Sequence, residues 1–316
     1  MNTWQLLEIL AKHVFIWLFL GAFFTLFPFI KLKNVLFFIK WFCVRATIPC
    51  MIFSVVLMNS KKDSLFSLFG FSALGFAFAF FSWLCSLMVS KIKITEEIHW
   101  PTFHLGNTFN NYGFMAYGLV ANLFGSQIMP KLFAFVLGSE FLLWTFGVSL
   151  FSKSKGFSAR PFFSPPAIAM LLAVMSIFFF PFSPENHWIG QSIILLGEIA
   201  IPMALTCIGF ILSHSLKNFS LTIFKSVWLI QALSFRHIVF PGVVIFGLAI
   251  FIPEGDFRKI LVIESIMPMA MMVTTVASLY GGDHAKLGFI STLSQVLGLL
   301  TIPFWLIILQ NLGLIV

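Results

Sequence analysis

Charged residues are so sparse in this chain that its apolar runs approach the length of a membrane crossing, and this happens ten times over. A bilayer-spanning helix needs about 20 apolar residues, with a range of about 17 to 25. Breaking the sequence at its charged and Pro/Gly/Asn-rich points predicts helices over Ile9–Ile30, Val35–Met58, Leu65–Ser90, His104–Phe124, Leu132–Phe151, Ala167–Phe182, Ile189–Ser213, Val227–Ile252, Ile260–Tyr280 and Lys286–Leu309. Only 9% of the 316 residues are charged and 59% are hydrophobic. A soluble domain cannot cover its surface with so few charges, so the solvent around most of the chain is lipid. No long segment has soluble composition, which excludes a soluble domain on a membrane anchor. The first run is too long for a cleaved signal peptide, lacks a small-residue cleavage site, and reads as the first span.

The formal charge is +8. In this setting it belongs to loops that meet lipid headgroups and set orientation rather than to nucleic-acid binding. With both termini outside, the inner loops hold Lys31, Lys33, Lys91, Lys93, Lys153, Lys155, Arg160, Lys217, Lys225 and Lys286. The outer segments hold Lys12, Lys61, Lys62, Lys131, Arg258 and Lys259. Ten against six favours that orientation. Cys43, Cys50, Cys85 and Cys207 lie in apolar runs with no Cys-x-x-Cys pair, and the histidines show no ligand spacing, so no metal or cofactor is expected.

Two short patterns recur. Ala46-Thr47-Ile48-Pro49 in the second run matches Ala200-Ile201-Pro202 in the seventh, at an offset of 153. Ala121-Asn122-Leu123-Phe124-Gly125 matches Ala277-Ser278-Leu279-Tyr280-Gly281, at 156. Nearly equal offsets indicate a five-plus-five repeat, residues 1–155 and 156–316. Five is odd, so the second copy enters the membrane from the opposite side and the repeat is inverted. The fourth and ninth runs are also the least suited to continuous helix. One carries Asn107, Asn110 and Asn111 with Gly106, Gly113 and Gly118; the other carries Glu264, Ser265, Pro268, Thr274 and Thr275. In lipid, broken backbone persists only where protein buries it or a cavity receives it. Paired breaks in matching halves point to a transport site.

The runs Asn107-Thr108 through Leu123-Phe124-Gly125, Glu264-Ser265-Ile266-Met267-Pro268 through Tyr280-Gly281-Gly282-Asp283, and Leu196-Gly197-Glu198-Ile199-Ala200-Ile201-Pro202 resemble signatures of the auxin efflux carrier family, as do Ser164-Pro165-Pro166 and Arg236 to Pro241. The resemblance implies a ten-helix carrier of small organic anions with a bile-acid-symporter-like fold. It places helices 1, 2, 6 and 7 in a scaffold and the rest in a transport domain that moves like an elevator. Helices 4 and 9 are broken and cross. Bacterial members go with malate or malonate, and plant members with auxin. One departure is that Ala116, Tyr117 and Gly118 stand where the family often has Gly-x-Pro.

Free N–H groups at half-helix ends attract anions. Substrate contacts are therefore expected from Asn107, Asn110, Asn111, Gly113, Gly118, Thr274 and Thr275, with the crossing near Gly118 and Thr274. Glu140 has no charge near it in sequence and is the sharpest single residue, for substrate or for a coupling ion. Glu198 and Glu264 are further ion-coupling candidates, with Glu198 paired to Arg45. Arg236 reads as an interfacial arginine whose head reaches water. The expected partners are an organic anion, a coupling proton or sodium, the lipids of a bacterial inner membrane and, in the oligomer, a second copy. Rival readings are a sodium-coupled symporter of related fold, a carrier of other cargo, and a channel. An intramembrane enzyme lacks its catalytic residues, since Asp63, Asp256 and Asp283 all fall in loops.

Overall fold

A computed structural model describes residues 5, 8, 10–25, 38–39, 41–91, 100–147, 163–180, 182–217, 227–280 and 282–315. Among them the chain is helical throughout. The sole extended pairing is an isolated antiparallel bridge between Asn110 and Met269. We number the helices α1 (Ala11–Phe24) and α2 (Cys43–Asn59), α3 (Leu65–Ser90), α4 (Trp100–Thr108), α5 (Phe114–Phe124), α6 (Met129–Leu142), α7 (Pro165–Phe179), α8 (Trp188–Glu198) and α9 (Ala200–Lys217). Then follow α10 (Val227–Phe251), α11 (Asp256–Ser265), α12 (Met272–Tyr280) and α13 (His284–Asn311). Among the described residues five stretches are long and apolar enough to cross a membrane: Lys62–Ser90, Ser126–Gly147, Trp188–Ile211, Val227–Phe251 and His284–Asn311. Many large apolar side chains face outward, such as Phe66 at 85% and Phe69 at 71% exposure. In water such a surface would aggregate; in lipid it is solvated.

Two prolines shape their helices in the same way. A proline has no N–H for the carbonyl four residues back. The turns before Pro49 and Pro241 widen to π geometry over Cys43–Thr47 and Phe235–Val239. The carbonyl that Pro241 leaves free, that of His237, accepts the Trp305 indole N–H at 2.8 Å. Helix ends are finished locally. Ser164 Oγ accepts the Ala167 N–H ahead of α7, and Asp283 Oδ1 accepts the Lys286 N–H ahead of α13. That bond, with the Lys286 charge, holds the Asp283 carboxyl below its usual range.

Packing follows small residues. On α3 and α6, a β-carbon added at Gly75 would stand 1.9 Å from the Phe135 carbonyl oxygen, and one at Gly138 would stand 1.8 Å from that of Ser72. The helices therefore touch backbone to backbone. Ser72 Oγ donates to the Ala134 carbonyl and Ser139 Oγ to that of Gly75. Small residues and hydroxyls are how helices associate without a hydrophobic drive between them. Gly21 and Gly209 make the same seam between α1 and α9, against the Thr206 and Leu18 carbonyls.

The neighbour pairs come in sets: α1 with α9 and α2 with α7; α3 with α6 and α10 with α13; α3 with α4 and α10 with α11; α5 with α6 and α12 with α13; α2 with α6 and α9 with α13. Lys31, Lys33, Lys93, Lys153, Lys155, Arg160 and Lys225 lie outside the described residues. All four cysteines are free thiols.

Candidate functional site

The backbone leaves helical geometry between Thr108 and Phe114, and again between Ser265 and Met272. These are the segments rich in Asn and Gly, and in Pro, that the sequence marks as poor helix. The two come together. The Asn111 N–H donates to the Pro268 carbonyl at 2.7 Å and the Ala270 N–H to the Phe109 carbonyl at 2.8 Å. Those bonds flank Asn110 and Met269, which face each other across the pair. Around this join, α4 packs on α12 and α5 on α11.

The contact register differs from the expected one. The segments meet at Asn110 and Met269, not at Gly118 and Thr274. Gly118 lies inside α5 and faces α9, where an added β-carbon would be 3.0 Å from Ile201 Cγ2 and 3.6 Å from Leu205 Cδ1. Thr274 Oγ1 donates to the Met271 carbonyl, and its Cγ2 methyl faces Gly288 of α13. The 156-residue offset matches helix ends, whereas the two breaks differ in length. Cysteines at 110 and 269, in a protein otherwise free of cysteine, are expected to form a disulfide. Facing residues between flanking hydrogen bonds have α-carbons about 4.5 Å apart, within disulfide reach. Cysteines at 118 and 274 are expected to stay reduced. Mass spectrometry after mild oxidation separates the two, and a bond only at the second pair would reverse this geometry.

Polar groups saturate one side of the join. Asn110 Nδ2 donates to the Glu264 carboxylate oxygen Oε2 at 2.7 Å and to the Glu264 main-chain carbonyl at 2.6 Å. Asn111 Nδ2 donates to Gln295 Oε1 at 3.0 Å, and Gln295 Nε2 donates to the Met269 carbonyl at 2.6 Å. The Met269 N–H donates to Ser294 Oγ, which also bonds His237 Nε2. Glu264, Asn107, Ser294 and Gln295 are all fully buried.

Other buried polar atoms near the join have no hydrogen-bond partner among the described residues. Both side-chain polar atoms of Asn107, Thr108 Oγ, the Tyr112 hydroxyl, Glu264 Oε1 and Ser291 Oγ are buried without a hydrogen-bond partner. Buried polar groups are paired in the great majority of cases, and each exception calls for a reason. Asn107 and Thr108 end α4, Tyr112 lies in the first break, Glu264 is in the last turn of α11 and Ser291 lies on α13. Leu287, one turn before Ser291, touches the Gly106 position, and Gln295, one turn after, holds Asn111.

Glu140 sits on α6, partly exposed, and its side chain makes no hydrogen bond with a described residue. It lies within electrostatic range of the Tyr112 and Tyr117 hydroxyls. Gly113 precedes α5 as its cap. The backbone of Thr275 lies in α12; its side chain lies outside what is described. Glu198 and Arg45 do not pair. Both are exposed, and Arg45 lies over the Trp41 ring at 5.6 Å. The seam between their helices is filled instead by Cys43, whose Sγ–H points at the Ala200 carbonyl, and by Gly197 against Met51. The repeat offset matched the helices but not the faces these two residues occupy.

Sequence reasoning missed Arg236. It is fully buried rather than interfacial and stands at the join itself. Pro241 was the available signal, because its widened turn directs this side chain inward. Between α2, α5 and α9, Ile48, Met51, Tyr117, Ala200, Ile201 and Ala204 line a shallow surface notch with no interior room for a water. Ile48 and Ile201, and Met51 and Ala204, are each separated by 153 residues, the repeat offset seen in sequence.

The model of a family described as membrane transport protein matches residues 155–306. An uncharacterized transporter of Methanocaldococcus jannaschii is 24% identical over 276 residues, 85% of this chain and 88% of the relative. An uncharacterized transporter of Methanothermobacter thermautotrophicus is 24% identical over 204 residues, 63% of this chain and 65% of the relative. With the apolar helices described above, these matches mark the chain as a multi-pass membrane protein similar to the membrane transport proteins of that family.

Proposed function

We propose that this transporter is a secondary carrier of small organic anions, carboxylates among them, working by alternating access at the join of the two break segments. The observation that carries the reading is the row of unpartnered buried polar atoms on Asn107, Thr108, Tyr112 and Ser291, beside the helix starts at Gly113 and Met272. Dehydrating a carboxylate costs several kcal/mol or more unless hydrogen bonds replace water. Amide and hydroxyl donors next to positive helix ends are suited to that task.

The neighbour pairs support a five-plus-five inverted repeat, with ten spans and α4–α5 and α11–α12 as its crossing broken members. Exchanging α1 with α7, α2 with α8–α9, α3 with α10, α4–α5 with α11–α12 and α6 with α13 turns each of the pairs in the sets named above into another of them. In this reading α1, α2 and α7–α9 form the scaffold and the remaining helices the moving domain. The notch lies between them. It has no interior room even for a water, so substrate enters when α5 parts from α2 and α9. An elevator-like displacement does that without dismantling the join.

Purified protein screened for thermal stabilisation by malate, malonate, succinate, short monocarboxylates and indole acetate, with and without sodium, tests the reading. A ligand at about 100 times its dissociation constant adds roughly 2.7 kcal/mol. A shift from a carboxylate supports the proposal. A shift confined to neutral or cationic compounds would overturn it.

Glu140 is the candidate proton carrier of this scheme, since it is a carboxyl inside a span with no hydrogen bond to fix its charge. Glu140→Gln is expected to flatten the pH dependence of uptake into proteoliposomes while leaving thermal stability within about 1 kcal/mol. A profile that keeps the wild-type shape would exclude Glu140 from proton coupling.

A further inference from the structure

Arg236 is fully buried, and no carboxylate of the described residues comes within ion-pair distance of it. Its partners are carbonyls. Nε donates to the Met267 carbonyl at 2.9 Å, Nη1 to that of Asn107 at 3.4 Å, and Nη2 to those of Ser265 at 3.2 Å and Glu264 at 3.5 Å. Its guanidinium carbon lies 4.7 Å from the centre of the Phe240 ring. Asn107 belongs to the last turn of α4, and Glu264 and Ser265 to the last turn of α11. The last carbonyls of a helix have no partner within it and carry the negative end of its dipole. One guanidinium therefore serves two such ends at once, on two segments far apart in sequence. A planar fork with five donors can do this; an ammonium is a compact charge on a flexible stem and cannot.

The turn that carries Arg236 is itself fixed. The next residue, His237, bonds Thr301 Oγ at 2.9 Å and Ser294 Oγ at 2.8 Å, and Ser294 Oγ accepts the Met269 N–H. The guanidinium and the histidine thus tie the same widened turn to the join from two directions.

We propose that Arg236 is the positioning residue of the join. It is a tethered cation that clamps the C-terminal ends of α4 and α11 and so sets the spacing of the two break segments. This deepens the carrier reading and rests on it only in placing substrate at the join. Asn107, Asn110 and Asn111 ride on the clamped segments, so Arg236 acts through them.

Amide hydrogen exchange on the purified full-length protein tests this without a substrate. The informative amides are Asn111 and Ala270, which donate across the join. In Arg236→Lys, exchange at these two is expected to rise by about tenfold or more, the scale set by losing charge-assisted hydrogen bonds. The seam between α3 and α6 should exchange as in the wild type. In Arg236→Ala the same amides are expected to lose protection, and added methylguanidinium should restore it where ethylammonium does not. If Arg236→Ala does not fold, Arg236→Lys decides alone. Unchanged exchange at Asn111 and Ala270, or a rise spread evenly over all helices, would overturn the proposal. Failure of every anion to stabilise the protein would sink the carrier reading and leave these exchange results standing.

Discussion

Replacing Gly138 with leucine is expected to abolish the folded protein, and replacing it with alanine to destabilise it by about 3 kcal/mol or more, the upper end of the overpacking range. The added atom would fall 1.8 Å from the Ser72 carbonyl oxygen. That neighbour is backbone, so no rotamer change relieves the clash and the helices must separate. Separation also lengthens the bonds from Ser72 Oγ to the Ala134 carbonyl and from Ser139 Oγ to the Gly75 carbonyl. Gly75→Ala should behave alike for the mirrored reason. Gly70 is the control, because it lies on the same helix α3 with nothing within 4 Å of an added β-carbon. Gly70→Ala should be neutral, or stabilising by up to about 1 kcal/mol through helix propensity. Thermal melting followed by size-exclusion chromatography reads all three. Equal stability of Gly138→Ala and the wild type would refute the backbone contact.

Asn110→Leu should leave a folded protein that no longer transports. The side chains are similar in volume, but leucine cannot donate to the Glu264 carboxylate or main-chain carbonyl. Glu264 Oε1 is already without a partner, so the substitution strands a whole buried carboxylate. Stranding a polar group costs about 1–3 kcal/mol, more if it is charged. Asn122→Leu breaks only a bond to the Gly118 carbonyl four residues back on its own helix, and should keep most activity. The assay is proteoliposome uptake of whichever anion stabilises the protein most. Wild-type uptake by Asn110→Leu would remove the join from the mechanism.

The helices were legible because lipid makes hydropathy nearly sufficient. The expected run Leu65–Ser90 is the helix observed, and Lys286–Leu309 lies inside His284–Asn311. Both break segments were legible as well, since three asparagines or a Glu-Ser-x-x-Pro run have no place in a continuous span. Their mutual register was not. The repeat offset came from Phe124 and Tyr280, where both downstream half-helices end, but the chain pairs at Asn110 and Met269 after breaks of different length. Periodicity reports where a helix stops, not which residues of two irregular stretches face each other. Arg236 was illegible for another reason. An arginine among apolar residues reads the same whether it reaches for water or for carbonyls, and only the tertiary paths of α4 and of α11 with the break after it supply the carbonyls.

The glycine seams divide the molecule by stiffness. Gly21 and Gly209 press backbone on backbone within one group of helices, and Gly75 and Gly138 do so within the other. Where α5 meets α9 the contact is softer, with Ile201 and Leu205 side chains lying over Gly118. Two hard plates with a yielding layer between them respond to load by shear. A bilayer that thins or thickens imposes such a load, and the strain collects in that layer rather than bending either plate. Turnover is therefore expected to track acyl-chain length, so that membrane thickness acts on this protein as a mechanical input.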